Sequence, residues 1–276
     1  MPLSVTLLGT GSPLPDPNRA GPSTLVQAGD TNLLIDAGRG CVMRLAGAGL
    51  FPSMVTGVLL THLHSDHICA LNDVITSHWV TSQAPTPLPI HGPPGTAAVV
   101  AGIERMLQPD VGYRIDHHDD LTAGPQLEVV EHEPGETFTI GACTVTTHAT
   151  DHRPVEPTLG YRIDHDGAVA AIAGDTIPCA GLDQLCAGAD LYVQTVIRED
   201  LVALVPNARL QDILDYHSTV AQAAQTAARA GVGTLVLTHY VPPLQPGQED
   251  AWRAIAAEHF DGAIVLGDDL TRADAY

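Results

Sequence analysis

The segment that most restricts how this chain can fold is Thr61-His62-Leu63-His64-Ser65-Asp66-His67, directly after the apolar run Gly57–Leu60. A short apolar run of that kind reads as a buried strand, and loops beyond strand ends are where a scaffold gathers functional groups. Four ligand-capable side chains fall within six residues here. That is too many for one tetrahedral zinc that keeps an open catalytic position. They suit two metals, with His62 and His64 turned toward one and Asp66 and His67 toward the other. The mixture of imidazole and carboxylate fits zinc without any cysteine.

The rest of the chain supplies a setting for such a turn. Strand-like runs at Ser4–Leu8, Ser23–Ala28 and Asn32–Ile35 are separated by Gly- and Pro-rich turns. Gly40–Gly49 reads as a short helix, another begins near Ile68, and the run Pro87–Ile90 precedes a helical Thr96–Leu107. A second series of strands covers Leu127–Val130, Thr137–Ile140, Thr144–His148, Leu159–Ile163 and Ala168–Ile172. The last part alternates helix and strand through Leu182–Ala187, Leu191–Thr195, Val220–Ala230, Thr234–Leu237, Ala251–His259 and Ala263–Leu266. Two strand-rich blocks, each flanked by helices, predict two packed sheets with helices outside them. The expectation is an α/β chain with αββα layering, one domain over residues 1–276.

Composition excludes several classes. With 276 residues and 45% hydrophobic side chains, the chain can bury a substantial core. No run approaches the roughly 20 apolar residues of a membrane span. Met1–Leu8 lacks the basic start of a secretory leader. Cys41, Cys69, Cys143, Cys179 and Cys186 are scattered without CxxC spacing, as expected of reduced thiols in a cytoplasmic protein. Twelve basic against 32 acidic residues give a formal charge of −20, which works against broad attraction to nucleic acid.

Other histidines carry weaker signals. His78, on the helix beginning near Ile68, is expected to be structural, and His91 belongs to a strand-to-turn element. His117-His118-Asp119-Asp120 lacks a strand end before it and reads as a solvated loop. His132, His165 and His259 have no supporting neighbours in sequence. Gly9-Thr10-Gly11 is not followed by the Lys-Ser/Thr pair of a phosphate-binding loop.

Thr61–His67 resembles the HxHxDH signature of the metallo-β-lactamase superfamily, and further segments fit in order along nearly the whole chain. Leu7–Ser12 resembles the opening strand and glycine turn, and Ile35-Asp36-Ala37-Gly38 the Asp-x-Gly strand end. Asp151-His152-Arg153-Pro154 is similar to the third ligand segment, Ala173-Gly174-Asp175-Thr176 to the bridging-aspartate turn, and Leu237-Thr238-His239-Tyr240 to the last histidine. The resemblance implies one zinc on His62, His64 and His152, a second on Asp66, His67 and His239, and Asp175 bridging them together with a hydroxide. Mn or Fe could substitute. His148 and His152 both lie in the third segment. His148 continues a strand pattern with Thr144 and Thr146, whereas His152 stands beyond the strand before Pro154, and His152 is the expected ligand.

Within the superfamily the chain resembles the ribonuclease Z family, in its actinobacterial form. Gly9-Thr10-Gly11 with Pro13 and Arg19, Gly160-Tyr161-Arg162, and above all Asp215-Tyr216-His217-Ser218-Thr219 carry that likeness. It implies an endoribonuclease that removes 3′ trailers from tRNA precursors, with His217 catalytic near the scissile phosphate and Asp66 a ligand that can also accept a proton. A histidine suits that place because it titrates near neutrality. Homodimers are compatible with the resemblance. The longer enzymes insert a tRNA-gripping arm between the third histidine and the bridging aspartate. Here His152 and Asp175 are 23 positions apart, room for two strands and a turn. With the arm absent there and the chain acidic, a small phosphate or sulfate ester stands as the alternative substrate.

Overall fold

Alternation of side chains along the strands builds the layers. In a computed structural model of the chain, which describes residues 2–275, two seven-stranded sheets face each other. The first holds β1 (Ser4–Gly9), β2 (Ser23–Ala28), β3 (Thr31–Ile35), β4 (Gly57–Leu59), β5 (Leu88–Gly92) and β6 (Leu127–Glu131) in that order. The second runs from β7 (Thr137–Ile140) through β8 (Cys143–Ala149), β9 (Leu159–His165), β10 (Ala168–Ile172), β11 (Leu191–Ile197) and β12 (Thr234–Val241) to β13 (Ala263–Val265). A last strand, β14 (Arg272–Asp274), returns to the first sheet and pairs antiparallel with β1.

Period-two alternation sends one set of residues between the sheets and the other set outward. Leu33 and Ile35 of β3 and Leu191 and Val193 of β11 join the apolar layer between the sheets. Leu34 points the other way, into a cluster with Leu45, Leu71 and Val100 of the helices over the first sheet. Tyr192, Leu235 and Leu237 face a second outer cluster with Leu182, Leu185 and Trp252. The covering helices are α1 (Cys41–Gly47), α3 (Leu71–Thr81) and α4 (Thr96–His117) on one side, with α2 (Ser65–Ile68) forming a single turn at the sheet end. On the other side lie α5 (Ala180–Cys186), α8 (Val220–Ala230) and α9 (Glu249–Ala257). Two short helices, α6 (Glu199–Val202) and α7 (Ala208–Gln211), fill the crossing between β11 and α8. This is the four-layer αββα arrangement that the sequence predicts.

Differences have physical reasons. The helix expected to stop at Leu107 continues past Pro109 to His117. Pro109 and Arg105 are both exposed, so water can satisfy the carbonyl that the proline leaves without a donor. His117 therefore ends a helix rather than lying in a loop, and the solvated reading of His117–Asp120 stands, since all four are exposed. β14 escaped prediction because Arg-Ala-Asp carries one inward apolar side chain, Ala273. His132 is corrected more substantially. It accepts or donates a 2.8 Å hydrogen bond with His91, donates from Nδ1 to Glu136 at 2.7 Å, and stacks on Phe138. Glu136 and Phe138 follow it closely in the chain, but His91 of β5 is 41 positions away, and that contact no local sequence pattern reveals. Among the described residues no helix is long and apolar enough to cross a membrane.

Candidate metal centre

The parallel strand β4 ends at Leu59, and the residues after it are laced to the end of β3. Asp36, with φ 60°, accepts from Thr61 N and Thr61 Oγ1, both at 2.8 Å. Because the Thr61 hydroxyl proton goes to Asp36, Thr61 Oγ1 accepts from His62 Nδ1 at 3.0 Å. His67 donates its Nδ1 proton to the same carboxylate at 2.7 Å. One buried aspartate thus fixes two rings with their Nε2 lone pairs facing a common point. Hydrogen bonding of the outer ring nitrogen to a carboxylate is the usual way to orient a metal-binding histidine.

The second sheet supplies the opposing groups. His152 lies on the loop after β8, and its Nδ1 donates to the Tyr216 carbonyl at 2.8 Å, turning Nε2 inward. Asp175 follows β10 through Gly174, whose φ is +66° and whose absent Cβ would lie 2.7 Å from the Thr61 side chain. Glycine is required there on both counts. His239 sits inside β12, where the pairing advances two residues on β11, Thr195 to Ile197, against three on β12, Thr238 to Val241. That bulge, with φ 53° at His239, re-aims the side chain out of the strand's alternation. The strand expected to end at Leu237 therefore runs on through this residue.

All seven side chains predicted to surround two metals meet at this end of the sheets, and His217 meets them. His62 Nε2 and His152 Nε2 lie 3.1 and 3.2 Å from His64 Nδ1. Ligands about 2.0–2.1 Å from a tetrahedral zinc would be about 3.3 Å apart, so this trio has the spacing of a metal's face. His239 Nε2 is 3.4 Å and His67 Nε2 3.6 Å from Asp66 Oδ2. Asp175 Oδ2 stands between the trios, 3.9, 3.8, 3.4 and 3.6 Å from the Nε2 atoms of His62, His152, His67 and His239. His217 Nε2 approaches it to 3.2 Å, and its Nδ1 donates to the Ile213 carbonyl at 3.1 Å. His148, the rival of His152, stays half-buried on β8 and belongs to none of the groups able to hold a metal.

Electrostatics say what this cluster wants. Burial and the neighbouring His67 push His62 well below its ordinary value, and burial takes His152 down to about 4. Burial opposes charge on Asp175, yet the nearby His239 and His67 rings and a hydrogen bond from His217 hold its carboxyl well below the usual range. Burial likewise opposes charge on His67, but Asp175 and Asp36 outweigh it and hold the imidazole well above its ordinary value. Three buried carboxylates, Asp36, Asp66 and Asp175, therefore demand cations. Asp175 Oδ1 and His67 Nε2 are buried with no hydrogen-bond partner among the described residues. Orphaned donor atoms inside a set of imidazoles and carboxylates fit divalent metal, not a closed hydrogen-bond network.

Fold and donor set together define a metal-binding hydrolase scaffold of the metallo-β-lactamase kind, and the sequence model of the beta-lactamase superfamily domain matches residues 31–240. A protein of Mycobacterium avium (strain 104) named ribonuclease Z is 57% identical over 272 residues, 98% of this chain and 97% of that one. Its namesake in Mycobacterium tuberculosis (strain ATCC 25618 / H37Rv) is 54% identical over 276 residues, 99% and 98% of the two chains. The chain belongs to the ribonuclease Z family. Its fold is shared by the metallo-beta-lactamase fold protein YhfI of Bacillus subtilis, at TM-score 0.75 and 24% identity, covering 99% of each chain. The short form of human tRNase Z superposes with TM-score 0.72 at 23% identity, again over 99% of each.

Sequence reading missed the outer partners. The pattern Ile35-Asp36-Ala37-Gly38 identifies Asp36 only as a strand end, not as the carboxylate that orients the rings. Thr61 and the Tyr216 carbonyl carried no signal.

Proposed function

We propose that this chain is an endoribonuclease that removes 3′ trailers from tRNA precursors, acting at a site for two zinc ions as a single-domain enzyme. His62, His64 and His152 would hold one ion, Asp66, His67 and His239 the other, and Asp175 both. Held by these residues, two divalent cations would supply an activated water and would neutralise charge on the phosphodiester oxygens. The chain's own groups do the remainder. Asp66, beside His239, can take a proton from the attacking water. His217 is fixed through Nδ1 by the Ile213 carbonyl, so Nε2 is the atom presented to the reacting phosphate. Protonated, it donates to the leaving oxygen. Ser218 Oγ donates to the Thr176 carbonyl at 2.7 Å, which ties the His217 loop to the Asp175 turn.

The observation that carries the reading is the convergence of His217 on Asp175 in a chain more than half identical to proteins named ribonuclease Z. The charge of −20 and the bare β9–β10 hairpin between His152 and Asp175 favour a small phosphodiester as second reading. Side-by-side turnover decides between them. A tRNA precursor with a 3′ trailer should be cut beyond its acceptor end at a kcat/KM well above that for bis(p-nitrophenyl) phosphate. Turnover of the small ester alone removes the RNA assignment.

A further inference from the structure

We infer that Arg39 binds a phosphate of the RNA strand next to the scissile one, an inference that rests on the ribonuclease reading above. The chain has no lysine, so its 12 basic side chains are all arginine. Eight of them lie within ion-pair distance of a carboxylate, Arg153 with Asp151 and Arg198 with Asp200 among them. Among the described residues, that leaves Arg39, Arg105, Arg209 and Arg253 without an acidic partner. Arg253 donates to the Ile264 carbonyl under α9, and Arg105 is exposed on the outer helix α4. Arg209 sits on α7, followed by the exposed Asp212 and Asp215.

Arg39 differs in where its backbone is held. It follows Asp36-Ala37-Gly38, and Ala37 N donates to the His67 carbonyl at 2.6 Å. A Cβ on Gly38 would lie 2.6 Å from the Asp66 carbonyl, so this loop is pressed against the ligand turn itself. The Arg39 carbonyl accepts from Gly21 N at 2.8 Å, which pins the other side. Arg39 as a residue is half-buried, and its guanidinium makes one hydrogen bond among the described residues, an exposed one from Nη2 to the Pro13 carbonyl at 3.1 Å. The remaining N–H groups of the fork have no partner among the described residues. In a chain of net charge −20, attraction for a polyanion must be local, and a guanidinium fork matches two phosphate oxygens. An arginine without a carboxylate, on the loop that carries Asp36, is the group so placed.

The test compares Arg39→Gln with Arg105→Gln, which removes the same charge far from the centre, and with Arg39→Lys, which keeps it. Each protein is loaded with zinc, its metal content measured, and assayed on the tRNA precursor and on bis(p-nitrophenyl) phosphate. Losing one charged hydrogen-bonded contact should lower kcat/KM for the RNA about tenfold more than for the ester. The slope of log kcat/KM against log salt should fall by about 0.7 for a single-stranded contact. Arg39→Lys should recover part of the loss, and Arg105→Gln should match the parent protein on both substrates. Equal responses of Arg39→Gln and Arg105→Gln overturn the assignment of Arg39 alone. A parent protein that leaves the trailer uncut overturns the functional reading, and this inference with it.

Discussion

Asp36 gathers more of the centre than any single ligand does. Its two oxygens accept from Thr61 N, Thr61 Oγ1 and His67 Nδ1, and through Thr61 it reaches His62. One carboxylate therefore sets the tautomer of a ring in each proposed metal group. Asn at this position keeps the volume but replaces one acceptor oxygen with a donor, which faces either the Thr61 hydroxyl or the His67 N–H. Loss of an outer partner of this kind typically weakens metal binding about 10–100-fold. Asp36→Asn should show that loss in zinc competition against a chelator, and an affinity equal to the parent's would mean that Asp36 does not orient the rings. His239 is the contrasting case. Its Nδ1 is buried without a partner among the described residues, and its direction comes from the backbone bulge instead.

Elements built on periodicity were legible in the sequence, and those built on long-range pairing were not. Helix α8 falls at Val220–Ala230 as its pattern predicts, and in the folded chain Thr219 closes its start with a capping box to Gln222. The ligand turn after β4 was readable because six consecutive residues carry it. β14 and the bulge at His239 were not, since both depend on a partner strand far away in sequence. The His91–His132 link of the His91–His132–Glu136 chain was hidden for the same reason. It ties β5 to the turn between β6 and β7, at the open edge where the sheets meet. Burial, with His132 beside it, lowers His91 to about 4. The folded protein thus refuses a proton that the unfolded chain accepts near 6.5. Stability from this group is complete above about pH 6.5 and is lost as pH falls toward 4. Denaturant unfolding of the chelated protein should show the decline, and His91→Gln should flatten it. An unchanged pH dependence in His91→Gln would assign the decline to other groups.

At the scale of the whole molecule, the centre is a clasp between the two sheets. His62, His64, Asp66 and His67 hang from the end of β4 in the first sheet, while His152, Asp175 and His239 come from the second. His152, Asp175 and His239 are far apart in sequence, so the unfolded chain, which keeps only the His62–His67 cluster together, binds the ions more weakly than the folded one. Metal binding therefore pulls on the folding equilibrium by mass action, by at most about 2.7 kcal/mol per site when free metal is 100 times Kd, less whatever the His62–His67 cluster binds in the unfolded chain. Removing the metal leaves Asp66 within charge interaction of Asp175 in a chain of charge −20, and the loss adds local repulsion to the global one. Chelation should lower Tm by several degrees, and added zinc should restore it in a concentration-dependent way. Salt should raise the Tm of the chelated protein more than that of the loaded one, because screening acts on charges that no ion neutralises. A Tm indifferent to both chelator and zinc would show that the sheets are held together without the clasp, by the apolar layer of Leu33, Ile35, Leu191 and Val193 alone.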